Sequence, residues 1–587
     1  MHGAHGGLVA WRGPGRVAVS ALTGTGVCGT LRFSRPTMPM PDSRPAPVSA
    51  HPRQRWGTVG ALLLGLLALS GPGAAPAVEP AASPESALAD ACVVLTALDF
   101  DAAVGARVTL SAALAPAAGE LPERCRISAT VAPGIGIEAW LPVDDWNGKL
   151  LVTGCQGQCG SILAEPMEDA SARGYATATT DGGHGAGKSP DGRWAFNNTA
   201  LEEDFGHRAV HVTARLAAAL AEAFYGSQPA HAYFQGCGTG GRQALVAASR
   251  DPDDFDGIIA GAPFDPRLSV PLMIWADAAN TGPDGKPILK RPQFDLLHKG
   301  ALAACDAADG QVDGVIGDPP ACTFQPDSLA CTEAHAQGCL DGAQLEAARR
   351  IYSGPVTRAG RRLAPFGAAV GSEAGWEREL IGRDGRRSRF FAAGQDWLHY
   401  HAFEPDPPEA AGPLTFDFDR DPPRLAAAAA RTGYGSDLER FAAREGRLII
   451  YHGWADARLM PGPTLAYWQQ ALHDNGGAAQ LARFARLFML PGVEHCGGGQ
   501  GAGDVDYLTA LERWVEQDEA PDQLIATRPA DSAPAGTHSR RTPATGEVSM
   551  RRPVFPYPEV ARYSGKGDPL DPASYERIAP GPAPASR

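Results

Sequence analysis

The sequence predicts an α/β fold in which buried strands alternate with helices around a parallel sheet. The runs His231–Gln235, Gly257–Ala260 and Arg447–Tyr451 have the length and apolar content of buried strands. Directly after the first of these strands, the segment Arg242–Arg250 carries apolar residues at helical spacing. Strands that alternate with helices in this way favour parallel pairing, because each crossover needs a helix to return the chain to the same edge.

A turn of small residues, Gly236–Gly241, joins the first of these strands to its helix. A strand, a small-residue turn and a helix form the nucleophile elbow of α/β-hydrolases, which holds one side chain above the sheet. The position that should carry the nucleophile is Gly238, which has no side chain. Glycine adopts the strained backbone of such a turn without steric cost, so the fold tolerates it. We therefore expect an α/β-hydrolase core without a serine nucleophile.

Two later strands end in residues that can serve as an acid and a base. Asp456 follows the strand Arg447–Tyr451, and His495 follows the strand Arg486–Leu490. The order elbow, aspartate, histidine is that of the α/β-hydrolase triad. From spacing alone, a histidine in a loop and an aspartate that caps a helix remain alternatives. As a catalytic pair, Asp456 would orient the imidazole, and His495 would act as general base and then as general acid.

The motifs around these residues resemble those of the tannase and feruloyl esterase family of α/β-hydrolases. The family's elbow is Gly-Cys-Ser-x-Gly-Gly, and its cysteine is bonded to the cysteine that follows the catalytic histidine. The other matching segments are Thr180–His184, Asp204–His211, Tyr451–Asp456 and Pro556–Pro558. The resemblance implies a hydrolase of aromatic carboxylic esters with a lid inserted in its core, whose nucleophilic serine is replaced by Gly238.

The resemblance also implies where an oxyanion would bind. Its donors would be the backbone N–H groups of Thr239, at the helix start, and of Cys155, in the loop Gly154–Gly160. Thr239 is in addition a candidate substitute nucleophile, because its hydroxyl is adjacent to Gly238. Three interpretations stay open: a protein that binds phenolic esters or acids without turnover, a weak hydrolase that uses water activated by His495, and an esterase inactivated at Gly238.

The segment Cys305–Val315 carries three aspartates and two glycines at close spacing. Such a loop can wrap oxygen ligands around a hard cation such as Ca²⁺, although the spacing is not that of an EF-hand and a solvated turn is the alternative. In the family a structural Ca²⁺ binds to the lid through this pattern. The implied ligands are the side chains of Asp306, Asp309 and Asp313 and the carbonyls of Gln311 and Val315. The ion would hold the lid together without taking part in the chemistry, and no organic cofactor is expected.

Cysteine usage indicates an exported protein. The chain has 11 cysteines, and ten remain when Cys28 is assigned to a leader. An even number suits an oxidising compartment. Cys155 and Cys159 are close enough in sequence to bond to each other, with a metal or redox role as the alternative. The resemblance implies four more bridges: Cys92–Cys125, Cys237–Cys496, Cys305–Cys322 and Cys331–Cys339.

The N-terminal region predicts a secretory signal. The apolar run Leu62–Leu69 follows arginines and precedes the small residues Ala75–Ala77, as in a signal peptide with its cleavage site. The run is short for a membrane span, so no stable span is expected after cleavage, with a membrane tether as the alternative. We expect translation to start at Met38 or Met40 and the product to be secreted or periplasmic.

The chain divides into four parts. We expect a leader at 1–77, the first part of the core at 85–264, the lid at 265–440, and the rest of the core with a C-terminal tail at 441–587. A length of 587 residues exceeds one ordinary domain but fits a core with an insertion.

Charge and aromatic content limit the kinds of partner that the sequence predicts. The net charge of −14 is spread without a basic stripe, which argues against nucleic acid as a partner. The expected partner is a small aromatic ester, with gallate, ferulate and other acyl groups left open. The aromatic residues Trp275, Phe390, Phe391 and Trp397 in the lid are candidates for contact with it, and core packing is the alternative.

Overall fold

The computed structural model describes residues 90–185, 191–333, 337–383, 385–407, 412–530 and 547–579. The leader predicted at 1–77 lies outside the described residues. Within them, a nine-stranded sheet forms the centre of the molecule, with helices packed on it. The predicted α/β fold class is confirmed.

Nine strands build the sheet in the spatial order β1-β2-β3-β5-β4-β6-β7-β8-β9. They are β1 (Val108–Ala115), β2 (Arg124–Val131), β3 (Ile135–Pro142), β4 (Lys149–Thr153), β5 (Ala176–Thr180), β6 (His231–Cys237), β7 (Gly257–Gly261), β8 (Arg447–Gly453) and β9 (Ala485–Leu490). The strands β1 to β3 pair antiparallel, and the strands from β5 to β9 along the order pair parallel. Two separate antiparallel pairs follow, β10 (Leu524–Pro529) with β11 (Val548–Val554) and β12 (Val560–Tyr563) with β13 (Tyr575–Ile578).

Helices connect the parallel strands and build the lid. In chain order they are α1 (Asp101–Val104), α2 (Glu165–Ala172), α3 (Thr199–Glu203), α4 (Ala209–Tyr225), α5 (Thr239–Arg250), α6 (Pro266–Ala279), α7 (Arg291–Cys305), α8 (Gly342–Ser353), α9 (Trp376–Leu380), α10 (Arg389–Tyr400), α11 (Pro422–Thr432), α12 (Glu439–Ala443), α13 (Gly462–Asp474), α14 (Ala478–Leu481) and α15 (Tyr507–Gln517). The helix predicted from Arg242 begins three residues earlier, at Thr239, because the glycines of the turn form its first turn.

The central strands are buried on both faces, which explains their continuous apolar runs. All five residues of β7 are buried. Helix α5 packs against β6 and β7, and α15 packs against β7 and β8. The carboxyl ends of β6, β8 and β9 therefore lie at the same edge of the sheet, with β7 between β6 and β8, and the loops that follow them meet there.

The segment between β7 and β8 is an insertion with its own apolar core. Helices α6 to α12 all lie in it. One cluster of buried side chains packs α6, α7, α8 and α9 together, with Trp376 against Phe294 at a ring distance of 5.8 Å. A second cluster joins α6, α10 and α11 to residues near the loop before α4.

Arg242 fixes the start of α5 to its surroundings. Its side chain is fully buried, and its guanidinium donates to the carbonyls of Phe205, Gly206 and Thr432 at 2.8–3.0 Å. It also lies over the Phe205 ring, 4.4 Å from the centroid. A buried charge is stable only when it is hydrogen-bonded, so these carbonyls hold the elbow helix in one position.

Candidate active site

The turn between β6 and α5 has the geometry of a nucleophile elbow, with Gly238 at its centre. Gly238 has φ 64° and ψ −114°, a backbone conformation that L side chains rarely adopt. Its N–H donates to Gly261 O at 3.0 Å, and its carbonyl accepts from Phe264 N at 3.1 Å. Hydrogen bonds from both sides thus keep the strained turn in place, with or without a side chain on it.

His495 faces this glycine. A Cβ atom built on Gly238 would stand 3.1 Å from His495 Nε2 and 3.4 Å from its Cε1. The other ring nitrogen, Nδ1, is 2.8 Å from Asp456 Oδ2. This bond to a carboxylate indicates that Nδ1 carries the proton and that Nε2 presents its lone pair toward Gly238. The sequence-predicted acid, base and nucleophile position are therefore brought together.

Asp456 is fully buried, yet both oxygens of its carboxylate have hydrogen-bond partners. Its Oδ1 accepts from the backbone N–H groups of Arg458 at 2.9 Å and Leu459 at 2.8 Å. Burial alone would raise the pKa of Asp456, but the charges and hydrogen bonds of His495 and His452 outweigh it and hold that pKa well below its usual range. The carboxylate is thus ionised whenever His495 is needed as a base.

His452 is a member of the site that sequence reasoning missed. Its Nε2 lies 2.7 Å from Leu459 O and 3.2 Å from Asp456 Oδ2, and its Nδ1 lies 2.7 Å from Thr464 Oγ1. The side chain is 1% exposed, so it supports Asp456 and does not reach substrate. In the sequence, His452 stands four residues before Asp456, but this spacing alone does not predict a contact. The fold of the loop brings the two side chains together.

A disulfide bond connects the loop of His495 to the elbow, and further disulfide bonds cross-link other segments. Cys237, the last residue of β6, is bonded to Cys496, which follows His495, and their Cα atoms are 5.9 Å apart. The remaining bridges are Cys92–Cys125, Cys155–Cys159, Cys305–Cys322 and Cys331–Cys339. The predicted pairing is confirmed at all ten cysteines, and the sulfurs of Cys155 and Cys159 are bonded to each other rather than free to ligate a metal.

The Thr239 hydroxyl is hydrogen-bonded to the loop that faces it. Its Oγ1 donates to Gly157 O at 2.6 Å, and the residue is 8% exposed. Attack on an ester would require this hydroxyl to leave its acceptor and turn toward His495, so the geometry does not favour Thr239 as a substitute nucleophile. Its backbone N–H is in the first turn of α5 and has no acceptor within the helix, as an oxyanion donor requires.

The Cys155 amide is not available as the second oxyanion donor, contrary to our expectation. It donates to Gln243 Oε1 at 3.0 Å, and Gln243 is 1% exposed. The Cys155 carbonyl faces α5, 3.1 Å from where Gly240 would carry a Cβ. In a trans peptide the next N–H points the opposite way, so the amide of Gln156 is directed away from the helix. The sequence did not indicate this hydrogen bond, because nothing in the loop itself marks the contact with Gln243.

Helix α10 of the lid also holds this loop. Asp396 accepts from Gln158 Nε2 at 2.8 Å and from Gly192 N at 3.0 Å. The next residue, Trp397, packs edge-on against Phe264, with ring centroids 4.9 Å apart. Since Phe264 donates through its backbone N–H to Gly238 O, it connects the buried Trp397 to the elbow.

The other aromatic candidates of the lid are structural. Phe390 is buried in the lid core. Trp275 donates through Nε1 to Arg350 O at 2.7 Å and packs edge-on against Phe418. The ring of Phe391 carries the guanidinium of Arg387, 4.2 Å from its centroid. Core packing and surface contacts thus account for these three side chains.

The aspartates of the predicted metal loop approach one another and the C-terminal strand β11. Asp306 accepts from the N–H groups of Asp313 and Gly314, and Asp309 accepts from that of Gln311 at 3.0 Å. The guanidinium of Arg552 is paired with Asp313 and with Gln311 Oε1. Burial raises the pKa of Asp309 to about 6, and the negative charges of its two fellow aspartates add to this.

These residues fit a hard cation by donor type, since carboxylate and carbonyl oxygens are the ligands that Ca²⁺ prefers. Their geometry is more open than a coordination shell, because the oxygens of the three carboxylates do not all lie within 4.8 Å of one another. The loop also packs against the turn that precedes His495. Its Val315 methyls lie 3.0 Å from where Gly492 would carry a Cβ, three residues before His495.

The fold and this site define an α/β-hydrolase with a His–Asp pair at the carboxyl edge of its sheet. The model of the family described as tannase and feruloyl esterase matches residues 119–393 and 428–578. The chain therefore belongs to the tannase and feruloyl esterase family. Family membership supports ester hydrolysis as its class of reaction.

Individual relatives agree with this assignment. A mono(2-hydroxyethyl) terephthalate hydrolase of Piscinibacter sakaiensis is 32% identical over 539 residues, which cover 79% of this chain and 86% of the relative. A probable feruloyl esterase of Arthroderma benhamiae is 31% identical, over a match that covers 75% of this chain and 82% of the relative. The crystal structure of feruloyl esterase B from Aspergillus oryzae matches with a TM-score of 0.69 and 27% identity, over 80% of this chain and 97% of that one.

None of the helices in the described part of the chain is long and apolar enough to cross a membrane.

The free energy of unfolding tests the hydrogen bond between Gln243 and the Cys155 amide. Replacing Gln243 with Met keeps the size of the side chain but removes the acceptor, which leaves a buried N–H unpaired. We expect the free energy of unfolding to fall by about 1–3 kcal/mol, measured by urea unfolding. The matched control is Gln469→Met on the exposed face of α13, which should change it little. Equal effects of the two substitutions would contradict this role of Gln243.

Proposed function

We propose that this protein is a secreted or periplasmic hydrolase of aromatic carboxylic esters that uses water in place of a serine nucleophile. The observation that carries the proposal is the position of His495 Nε2, 3.1 Å from the Cβ site of Gly238, with Nδ1 held by a buried carboxylate. A general base in working geometry thus faces the point where the family's nucleophile would stand.

The proposed reaction proceeds in two steps. His495 takes a proton from a water molecule in front of Gly238 as the oxygen attacks the ester carbonyl. The N–H groups of Thr239 and Gln156 stabilise the resulting oxyanion, and Asp456 stabilises the imidazolium. His495 then returns the proton to the leaving alcohol as the tetrahedral intermediate collapses. No acyl-enzyme forms, so the reaction lacks the rate advantage of covalent catalysis.

Two observations support an aromatic acyl group. The relatives carry names of terephthalate monoester and ferulate hydrolases, both esters of aromatic acids. In this chain the Phe264 backbone is hydrogen-bonded to Gly238, and its half-buried ring packs edge-on against Trp397, the kind of contact that aromatic rings favour. Export is supported by the five disulfides, which persist in oxidising compartments.

A second candidate function is binding of phenolic esters or acids without turnover. Gly238 itself favours it, because the side chains of the two residues beside it are engaged elsewhere. Cys237 is held in a disulfide, and the Thr239 hydroxyl is hydrogen-bonded to Gly157 O. Ligand-dependent stabilisation without product would identify such a protein.

Restoring the serine tests both candidates. We expect Gly238→Ser to raise kcat for methyl ferulate or methyl gallate about a hundredfold or more, because it opens the acyl-enzyme route. The matched control, Gly238→Ala, carries the same backbone strain without a hydroxyl and should not gain activity. Both substitutions should lower the free energy of unfolding by roughly 1–3 kcal/mol, because a side chain at this φ and ψ is strained. Product release followed by chromatography and urea unfolding measure the two effects.

The unmodified chain decides between the two candidates in the same assay. Slow hydrolysis that disappears with His495→Ala supports the water route. Absence of turnover together with activity of Gly238→Ser and thermal stabilisation by ferulate supports the binding protein. A Gly238→Ser variant that is folded but inactive on aromatic esters would contradict both.

We further propose that Asp306, Asp309, Asp313 and the carbonyls of Gln311 and Val315 hold a structural Ca²⁺. The cation would neutralise carboxylates that are partly buried close to one another, and would act on stability only. At a free Ca²⁺ concentration of 100 times Kd, we expect the free energy of unfolding to rise by roughly 2.7 kcal/mol over the chelated protein.

Thermal or urea unfolding with Ca²⁺, Mg²⁺ or a chelator provides the measurement for this ion. Asp309→Asn should abolish the Ca²⁺ response, whereas the neighbouring Asp318→Asn, outside the ligand set, should retain it. Stability that is independent of Ca²⁺ in the unmodified protein would contradict the proposal.

A further inference from the structure

The backbone of His495 is not held by hydrogen bonds of its own. In the part of the chain that the structure describes, neither its N–H nor its C=O forms one. The imidazole is fixed by Asp456, whose Oδ2 lies 2.8 Å from Nδ1. The position of the His495 backbone therefore depends on the residues on either side of it, Glu494 and Cys496.

These two flanking residues are held by different parts of the molecule. Cys496 is bonded to Cys237 at the end of β6, which connects one side of His495 to the elbow. On the other side, the Glu494 carboxylate accepts a hydrogen bond from the guanidinium of Arg378. Arg378 belongs to α9 of the lid. The loop of the base is thus held to the core by a disulfide and to the lid by an ion pair.

The ion pair between Arg378 and Glu494 is partly shielded from water. The side chain of Glu494 is 12% exposed, and that of Arg378 is 36% exposed. The guanidinium also lies near the helix backbone, 3.8 Å from where Gly375 would carry a Cβ. A carboxylate that is mostly buried needs a partner, and salt screens such a pair less than one in open solvent. The pair therefore restrains the loop more than an ion pair on the open surface would.

Helix α9 is itself held in the lid. Trp376 is buried, and its Nε1 donates to Ser372 Oγ at 2.9 Å. Just before the helix, the fully buried carboxylate of Glu373 accepts from the Tyr352 hydroxyl at 2.7 Å and lies 3.0 Å from His298 Nδ1. The last two residues belong to α8 and α7, so the lid core determines where α9 lies.

The start of the same helix packs against the loop of the acid. A Cβ built on Gly375 would stand 2.8 Å from Ala457 Cβ, closer than real Cβ contacts. Ala457 immediately follows Asp456 and is buried in the apolar core of the lid. The segment around α9 therefore contacts the loop of the acid through Gly375 and the loop of the base through Arg378.

We infer that Arg378 is a positioning residue for the general base, because it holds the loop of His495 to the lid through Glu494. It acts without touching the ester, so its effect falls on the chemical step and not on binding. The inference rests on the proposed function, since it concerns the same base. A displacement of about 1 Å at a catalytic group can cost roughly a hundredfold in rate. Loss of one of the two connections beside His495 should therefore lower kcat.

Steady-state hydrolysis of methyl ferulate tests this in the full chain carrying Gly238→Ser. We expect a further Arg378→Gln substitution to lower kcat about tenfold and to change KM by less than about twofold. Arg378→Lys keeps the charge and should recover part of the loss. Glu494→Gln removes the same pair from the other side and should lower kcat to a similar extent. Because both substitutions remove one interaction, their combination should lose no more than either alone.

The matched control is Arg291→Gln, which removes another ion pair of the same helix. Arg291, on α7, donates to Glu377 of α9 at 2.9 Å, and this pair does not involve the loop of His495. Since an exposed pair contributes little, we expect kcat and KM to stay within about twofold. Circular dichroism and the melting temperature of each variant show that folded proteins are compared.

Three results with an active Gly238→Ser protein would overturn the inference and leave the proposed function standing. They are an unchanged kcat in Arg378→Gln, a rise in KM alone, which would place Arg378 in contact with the ester, and an equal loss of kcat in Arg291→Gln. A Gly238→Ser protein that is folded but inactive on aromatic esters is a different outcome. It would refute the proposed function, and the inference with it.

Discussion

The hydrogen bond between Asp456 and His495 is the contact on which the rest of the site depends. A fully buried carboxylate is tolerated because two backbone N–H groups and two imidazoles satisfy it. Their combined effect keeps its pKa low, so the imidazole is oriented through Nδ1 and presents Nε2 to the elbow. The Cys237–Cys496 bridge then fixes the distance between the His495 loop and the turn at Gly238. The base is thus held in place by groups that do not need a nucleophile to be present.

The glycine removes one reaction step and leaves the remaining geometry intact. The elbow is kept in its conformation by the hydrogen bond that Gly238 N donates to Gly261 O and by the one that Gly238 O accepts from Phe264 N, and a glycine adopts this conformation without the strain that a serine would carry. The loop Gly154–Gly160 is held on one side by Gln243 and Thr239 of the elbow helix and on the other by Asp396 of α10. Loss of the hydroxyl therefore changes which nucleophile can react, while the means of orienting an ester and accepting a proton remain.

Much of this arrangement could be predicted from the sequence, because it is encoded locally. The apolar runs and the small-residue turn predicted the strands, the elbow and the place of Gly238, and the strand ends together with the resemblance to the family predicted the meeting of Asp456 with His495. The contacts that were missed depend on partners distant in sequence. Gln243 accepts a hydrogen bond from the Cys155 N–H, 88 residues away in the sequence, and His452 contacts Asp456 only because of the fold of its loop. Likewise, Arg552 contacts the aspartate loop from a strand 239 residues away, which no spacing within that loop could indicate.

His495 faces Gly238 in the geometry of a general base, while the neighbours of Gly238 are engaged, Cys237 in a disulfide and the Thr239 hydroxyl in a hydrogen bond. Treatment with an alkyl fluorophosphonate, followed by intact-protein mass spectrometry, tests this arrangement most directly, since this reagent forms a stable bond with an activated hydroxyl at an esterase elbow. The account predicts that the unmodified protein keeps its mass, while Gly238→Ser gains one phosphonyl group at residue 238. A phosphonyl adduct on the unmodified protein that maps to Thr239 or another side chain of the site would contradict it.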